Sequence, residues 1–353
     1  MKRMRLKKRY ILRTCLGIVG GLMVIAASLA IKHYYRLEVS NFRSLNGKPH
    51  SYCIYPGTTI DQVITMLEAD YNIGSHRDIL LHARMMHFNF PEPGHYTFDA
   101  KIGDHELIDR LKLGKQTPVK LTWNNMVRTR EQLAGKIGET LMMDSVTVLH
   151  YLEDDAFLEQ YGLNKETSRC LFIPNTYEVY WNIKPEALFE RMKVEYDKFW
   201  NKDRRAKADK LGLTPIEVSI VASIIEGESN NKKELPIIAS LYLNRIKKGM
   251  PLQACPTVIY AVGDFSIRRL LYRHLQIDSP YNTYKHKGLP PGPIRCPLPR
   301  SIDYVLTAPK TNYLYMCANP QLNGTHIFSA NFTNHANAAV QYHHMMDSKK
   351  KRK

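Results

Sequence analysis

The chain has 353 residues, 44% hydrophobic and 24% charged, which allows about two domains at ~150 residues each and excludes global disorder. Six cysteines without a CxxC pair exclude a disulfide scaffold and a zinc ribbon. The formal charge of +17 points first to nucleic acid, but twelve basic residues lie in the first thirteen and last five positions, and the mildly basic body between them removes that reading.

Residues 1–13 form a basic tail holding Lys2, Arg3, Arg5, Lys7, Lys8, Arg9 and Arg13. Residues 14–31 then carry no charge. Eighteen residues rise about 27 Å as a helix, enough for a thin hydrocarbon core. Arg13 can snorkel, and Tyr34 and Tyr35 sit where an interfacial aromatic belt belongs. The excess of positive charge before the span predicts a cytoplasmic N-terminus, with residues 32–353 outside. The competing reading is a signal peptide cut near Ser28-Leu29-Ala30. The apolar run is longer than a usual signal core, which favours a retained single-pass anchor.

Residues 32–50 read as a polar, extended linker. A compact α+β unit is expected over 51–117. It opens on the Pro56-Gly57 turn, followed by a helix capped from Thr58, Thr59 or Asp61 with Val63, Ile64 and Leu67 on one face. A second amphipathic stretch covers Arg77–Met86, and alternation over His95–Phe98 predicts a strand. Asp104 is expected to cap a helix carrying Leu107, Ile108 and Leu111 that ends at Gly114. Residues 118–347 form a second region, starting with a strand over Val119–Trp123. Helices capped by Thr129 and Ser145 follow. From about Ser168 the richness in Pro, Tyr and Asn predicts fewer long helices. The basic residues 348–353 read as a disordered tail.

The sharpest feature runs from Thr214 to Ser229. Thr214 with Glu217 makes a capping box, and Pro215 suits the first helical turn. Apolar residues on nearly every side predict a buried helix. Glu226 sits at its end, after Ile224-Ile225, where desolvation would favour the protonated carboxyl that a general acid needs. Solvated glutamates at a helix end are the plain alternative for Glu226 and Glu228. Asp278-Ser279-Pro280-Tyr281-Asn282-Thr283-Tyr284 and Gly288-Leu289-Pro290-Pro291-Gly292-Pro293 combine proline rigidity with hydrogen-bonding and stacking groups. Such surfaces suit sugar rings, and a structural loop is the alternative.

These residues resemble those of the YceG-like (MltG) endolytic murein transglycosylase family. Ala222-Ser223-Ile224-Ile225-Glu226-Gly227-Glu228 is similar to its ASIVEKE signature. The likeness continues through Leu171–Tyr177, Leu243-Asn244-Arg245, Gly249–Gln253, Pro256–Tyr260, the SPYNTY run from Ser279, GLPPGPI from Gly288, and Thr325–Phe328 with His335. The resemblance covers about residues 50–340 and implies a fold of α+β class: one transmembrane helix, a LysM-like α+β subdomain over 51–117, then a mixed α/β catalytic region. It implies cleavage of MurNAc-β-1,4-GlcNAc bonds inside nascent peptidoglycan strands with 1,6-anhydro-muramic ends, which would terminate strand elongation. By position it makes Glu226 the catalytic residue. It points to Glu228, Asn244, Gln253, Thr257, Tyr281, Asn282 and Tyr284 as groove residues.

No metal or cofactor is implied. The implied partners are peptidoglycan strands, membrane lipid through residues 14–31, and peptidoglycan synthases; nucleic acid is not among them. The implied location is the bacterial inner membrane, with the catalytic part periplasmic. The chain departs from the family pattern at Cys255, where aspartate is usual, and at Cys296, which suggests a 255–296 disulfide in an oxidising compartment. Gly227 and Ser229 replace the usual Lys and Thr. Two other functions compete: a water-using muramidase with Glu228 as second carboxylate, and a membrane-anchored peptidoglycan-binding scaffold without turnover.

Overall fold

The computed structural model describes residues 2–351, with side chains described over 13–38 and 41–348. The side chains of the basic residues before Arg13 and the last two residues therefore lie outside the described part. The chain divides into two compact units. One comprises Met1–Val119 with Glu178–Asn182; the other comprises Lys120–Tyr177 with Ile183–Lys353.

The first unit starts with α1 (Lys2–Tyr35). Starting within it and running just past its end, Arg13–Glu38 is long and apolar enough to cross a membrane, and its most apolar 18 residues are not buried against protein. The linker expected over 32–50 is folded instead. The helix runs to Tyr35, a wide helical turn follows at Arg36–Ser40, and β1 (Phe42–Ser44) begins at once. The reason lies in Phe42, whose fully buried ring joins the core, and in Arg36, which pairs with Asp78 at 2.8 Å. The unit continues through β2 (His50–Ile54), α2 (Ile60–Leu67), β3 (Tyr71–Ile73), α3 (His76–Met85), β4 (Gly94–Phe98), β5 (Lys101–Ile102) and α4 (Asp104–Lys112). β1 is central between β3 and β5, and β2 pairs antiparallel with β4 from His50 opposite Phe98 to Ile54 opposite Gly94. Thr59 caps α2 through a complete capping box with Gln62. Ile54, Val63, Ile64, Leu67, Tyr96 and Leu107 close over Phe42. The cap of α4 is Gly103, not Asp104. Asp104 is instead fully buried and accepts a 2.7 Å hydrogen bond from Asn41 Nδ2.

The second unit holds most of β6 (Val119–Thr122), then α5 (Arg130–Gly138), α6 (Ser145–Glu153), α7 (Asp155–Glu159) and the start of β7 (Thr176–Val179). Thr129 caps α5, but Asp144, one residue before the expected Ser145, caps α6. Six helices follow: α8 (Pro185–Phe199), α9 (Lys202–Leu211), α10 (Pro215–Glu228), α11 (Leu235–Lys247), α12 (Cys255–Val262) and the short α13 (Tyr272–Leu275). α14 (Pro299–Leu306), β8 (Tyr315–Ala318), β9 (His326–Ser329) and α15 (Phe332–Lys351) complete the chain. Long helices are thus common beyond Ser168, contrary to the sequence expectation. The prolines of this region sit in the first turns of α8, α10, α11, α12 and α14, where the missing N–H costs nothing, so they start helices rather than break them. The backbone also remains helical through Lys351, into the stretch expected to be disordered.

Candidate active site

α10 is the axis of the second unit. Its capping box is complete: the Glu217 carboxylate accepts from the Thr214 amide at 2.7 Å, and the Thr214 hydroxyl accepts from the Glu217 amide at 3.2 Å. Every residue from Val218 to Glu226 is buried, with α11, α12 and α14 packed around it. The GLPPGPI segment straps this helix. The Ile294 amide donates to Ser223 Oγ at 3.0 Å, and the buried Arg169 guanidinium donates to Pro293 O, Arg128 O and Tyr260 Oη.

The two glutamates at the end of α10 have different surroundings. Glu226 Oε1 accepts from the Leu298 amide at 2.9 Å and from the Ser301 hydroxyl at 2.5 Å. Its Oε2 is buried without a partner. Glu226 therefore ties α10 to the start of α14. Glu228 lies in a cavity of about 210 Å³ with Tyr242, Arg245, Gln253, Cys255, Tyr284 and His326. Tyr242 Oη donates to Glu228 Oε1 at 2.6 Å. Burial pushes the Glu228 carboxyl up to about 7, against the Tyr242 hydrogen bond and the charges of His326 and Arg245. Desolvation disfavours the charged form, so this carboxyl carries its proton into the neutral range.

The cavity walls are held rigidly. Arg245 Nε donates to Leu314 O at 2.6 Å, and its Nη1 donates to Pro251 O, Leu252 O and Gln253 Oε1. Gln253 adopts φ +51°, an unfavourable conformation for a side chain with a Cβ. Its amide donates to Thr283 O at 3.0 Å, which helps to hold that conformation. His326 is fixed by Glu234, whose carboxylate meets the His326 amide at 2.7 Å and Nδ1 at 2.9 Å.

Of the residues singled out by sequence, the cavity brings together Glu228, Gln253 and Tyr284. The others stand elsewhere. Asn244 Nδ2 donates to Thr311 O and Tyr313 O. Thr257 is fully buried, donating to Ala254 O and meeting Thr283 Oγ1 at 2.8 Å. Tyr281 Oη donates to Glu166 at 2.7 Å. Asn282 Nδ2 donates to Leu275 O and Ile277 O, which folds the SPYNTY turn. Sequence reasoning gave no role to Tyr242, Arg245 and His326. The last two lie inside the LNR and THIF motifs, which was the available signal. The expected 255–296 disulfide does not form. Both cysteines are free, Cys255 Sγ standing 3.3 Å from Tyr284 Oη and Cys296 being buried. Among the described residues no group of three or more His, Cys, Asp or Glu is placed to hold a metal.

The sequence profile of the YceG-like family matches residues 52–341. The chain belongs to this family. Among relatives with names, an endolytic murein transglycosylase of Bacillus subtilis is 33% identical over 227 residues, which are 60% of this chain and 62% of that protein. One of Streptococcus pneumoniae is 25% identical over 295 residues, 74% of this chain and 53% of the relative. The chain thus spans between half and two thirds of the length of these relatives. A crystal structure of a yceG-like protein from Listeria monocytogenes superposes with a TM-score of 0.54 at 26% identity, covering 82% of this chain and 98% of that one. This YceG-like chain shares with it an α+β fold.

Proposed function

We propose that the chain is a membrane-anchored endolytic murein transglycosylase that cuts MurNAc-β-1,4-GlcNAc bonds within nascent strands and leaves 1,6-anhydroMurNAc ends. The relatives' names support the substrate class. One observation carries the chemistry: the Glu228 cavity has a single carboxylate in its lining, and burial holds its proton to about pH 7. Hydrolases need a second carboxylate to attack or to activate water. A transglycosylase does not, because the C6 hydroxyl of the muramic acid attacks C1 of the same sugar, and proximity replaces the second residue. Glu228 gives its proton to the leaving O4 as the C1–O4 bond breaks. It then takes the proton of the C6 hydroxyl as the C1–O6 bond forms.

Glu228, rather than the Glu226 favoured by the family signature, is the acid in this proposal. Glu226 is engaged with Leu298 and Ser301 and positions α14. The apolar stretch at residues 14–31 would anchor the chain in the inner membrane with residues 32–353 periplasmic, following the basic N-terminal tail. The test is mass spectrometry of products from uncrosslinked strands, using the full chain in detergent. Anhydro ends from wild type and Glu226→Gln, with a loss of several orders of magnitude in Glu228→Gln, support the assignment. The reverse pattern moves the acid to Glu226. Reducing ends indicate a hydrolase, and binding without cleavage by any protein indicates a scaffold.

A further inference from the structure

A second cleft is lined by sequence neighbours of the acid cavity's residues. It encloses about 120 Å³ and is lined by Arg128, Arg295, Gly227, Pro256, Tyr260 and Phe265 among others. Gly227 precedes Glu228, and Pro256 follows Cys255. Gly227 matters to its shape: a Cβ there would meet the Pro256 Cβ at 2.5 Å and Arg295 Nη2 at 3.6 Å.

Among the described residues the two arginines have little opposing charge, only that of Glu226 acting on Arg295. Arg295 Nε is buried with no hydrogen-bond partner. The Arg128 guanidinium stacks over the Phe265 ring at 4.7 Å from its centroid. Among the described residues neither guanidinium makes an ion pair or hydrogen bond. Other arginines of the chain are paired: Arg204 with Asp303, and Arg130 with Glu153 and Glu166. Burial and then Arg128 hold the Arg295 guanidinium below its ordinary range, and only the field of Glu226 opposes them. Two like charges brought together away from water are unfavourable by themselves, and an anion seated between them removes that cost.

We propose that Arg128 and Arg295 bind a carboxylate carried by the muramic acid of the strand lying across Glu228. The inference rests on the glycan reading above. A guanidinium fork matches a planar carboxylate. The cleft has room for a carboxylate and the few carbons that carry it. Tyr260 and Phe265 supply apolar walls for the atoms that carry the acid. Muramic acid bears this chemistry in two forms, its own lactyl carboxylate and the carboxylates of an attached peptide. N-acetylglucosamine bears neither, so the site would distinguish the two sugars and set which bond faces Glu228.

Titration of the full chain in detergent tests this with three probes: the GlcNAc-MurNAc disaccharide with its peptide, the same disaccharide with a free lactyl group, and chitobiose. The disaccharides contain no MurNAc-GlcNAc bond and so are not cut. Arg128→Gln and Arg295→Gln should each weaken a carboxylate-bearing probe about tenfold, the loss of one charge-assisted contact, while chitobiose binding stays unchanged. Arg295→Lys should recover part of the loss. Loss with the peptide probe alone assigns a peptide carboxylate, loss with the peptide-free probe alone assigns the lactyl carboxylate, which is an amide in the peptide probe, and loss with both shows that the arginines accept either. Unchanged affinities in both folded variants overturn the site while leaving the glycan reading intact. If the wild-type chain binds none of the probes, both fall together. Arg128→Gln keeps the test decisive if Arg295→Gln does not fold.

Discussion

Glu226 and Glu228 are two residues apart, about 200° around a helix, so one helix end presents them to different neighbours. Their types and spacing are plain in the sequence, but what covers each face is decided by segments 14 to 100 residues away. Leu298 and Ser301 reach Glu226, while Tyr242, Gln253 and His326 surround Glu228. That is why the helix was legible in the sequence and the surroundings of each glutamate were not. A pH profile follows from the raised Glu228 carboxyl. A general acid works only while protonated, so the rate on uncrosslinked strands should fall about tenfold per unit above pH 7. A rate that stays level from pH 6 to 9 would rule Glu228 out as the acid.

At the scale of elements, local signals were legible where one segment decides them. The Thr214 capping box and the β4 alternation needed no tertiary context, and Thr59 was one of three candidate caps for α2. The fit failed where a distant partner decides. Asp104 looked like a cap by composition, yet Asn41 draws it into the core. Burial, partly offset by Asn41, pushes its carboxyl up to about 7, with a further rise from Asp78 and an opposing pull from Arg36. Between the unfolded value near 4 and about 7 the folded state binds more protons, so stability is greatest below the unfolded value and falls as pH rises to 7. Asp104→Asn keeps an acceptor for Asn41 and carries no charge. The variant should therefore be more stable than wild type at pH 8, by a few kcal/mol, and show a flatter trend between pH 5 and 8. Urea unfolding followed in both proteins checks this, and parallel trends would show that Asp104 does not couple to pH.

The whole molecule has its positive charge at its two ends, twelve basic residues in the first thirteen and last five positions. Composition alone suggested a polyanion partner, but the distribution fits a basic tail facing anionic headgroups beside an apolar helix, and an orientation set by that tail. The first unit fixes how much of this end is dispensable. Arg36 pairs with Asp78, and the Gly103 backbone packs so closely on Leu37 and Glu38 that a Cβ there would lie 2.4 Å from Leu37 O. A chain starting at residue 34 should keep these contacts, lose the apolar span and remain in solution without detergent. A chain starting at residue 42 should also leave the membrane but lose the Arg36–Asp78 pair and the buried Asn41–Asp104 bond, so it should unfold at a lower temperature. In the full chain, replacing Lys2, Arg3, Arg5, Lys7, Lys8 and Arg9 with glutamine removes most of the charge bias that orients the helix. External protease on spheroplasts should degrade the wild-type catalytic region and leave a protected fraction of the glutamine variant. Equal protection in the two chains would show that the basic tail does not set the topology.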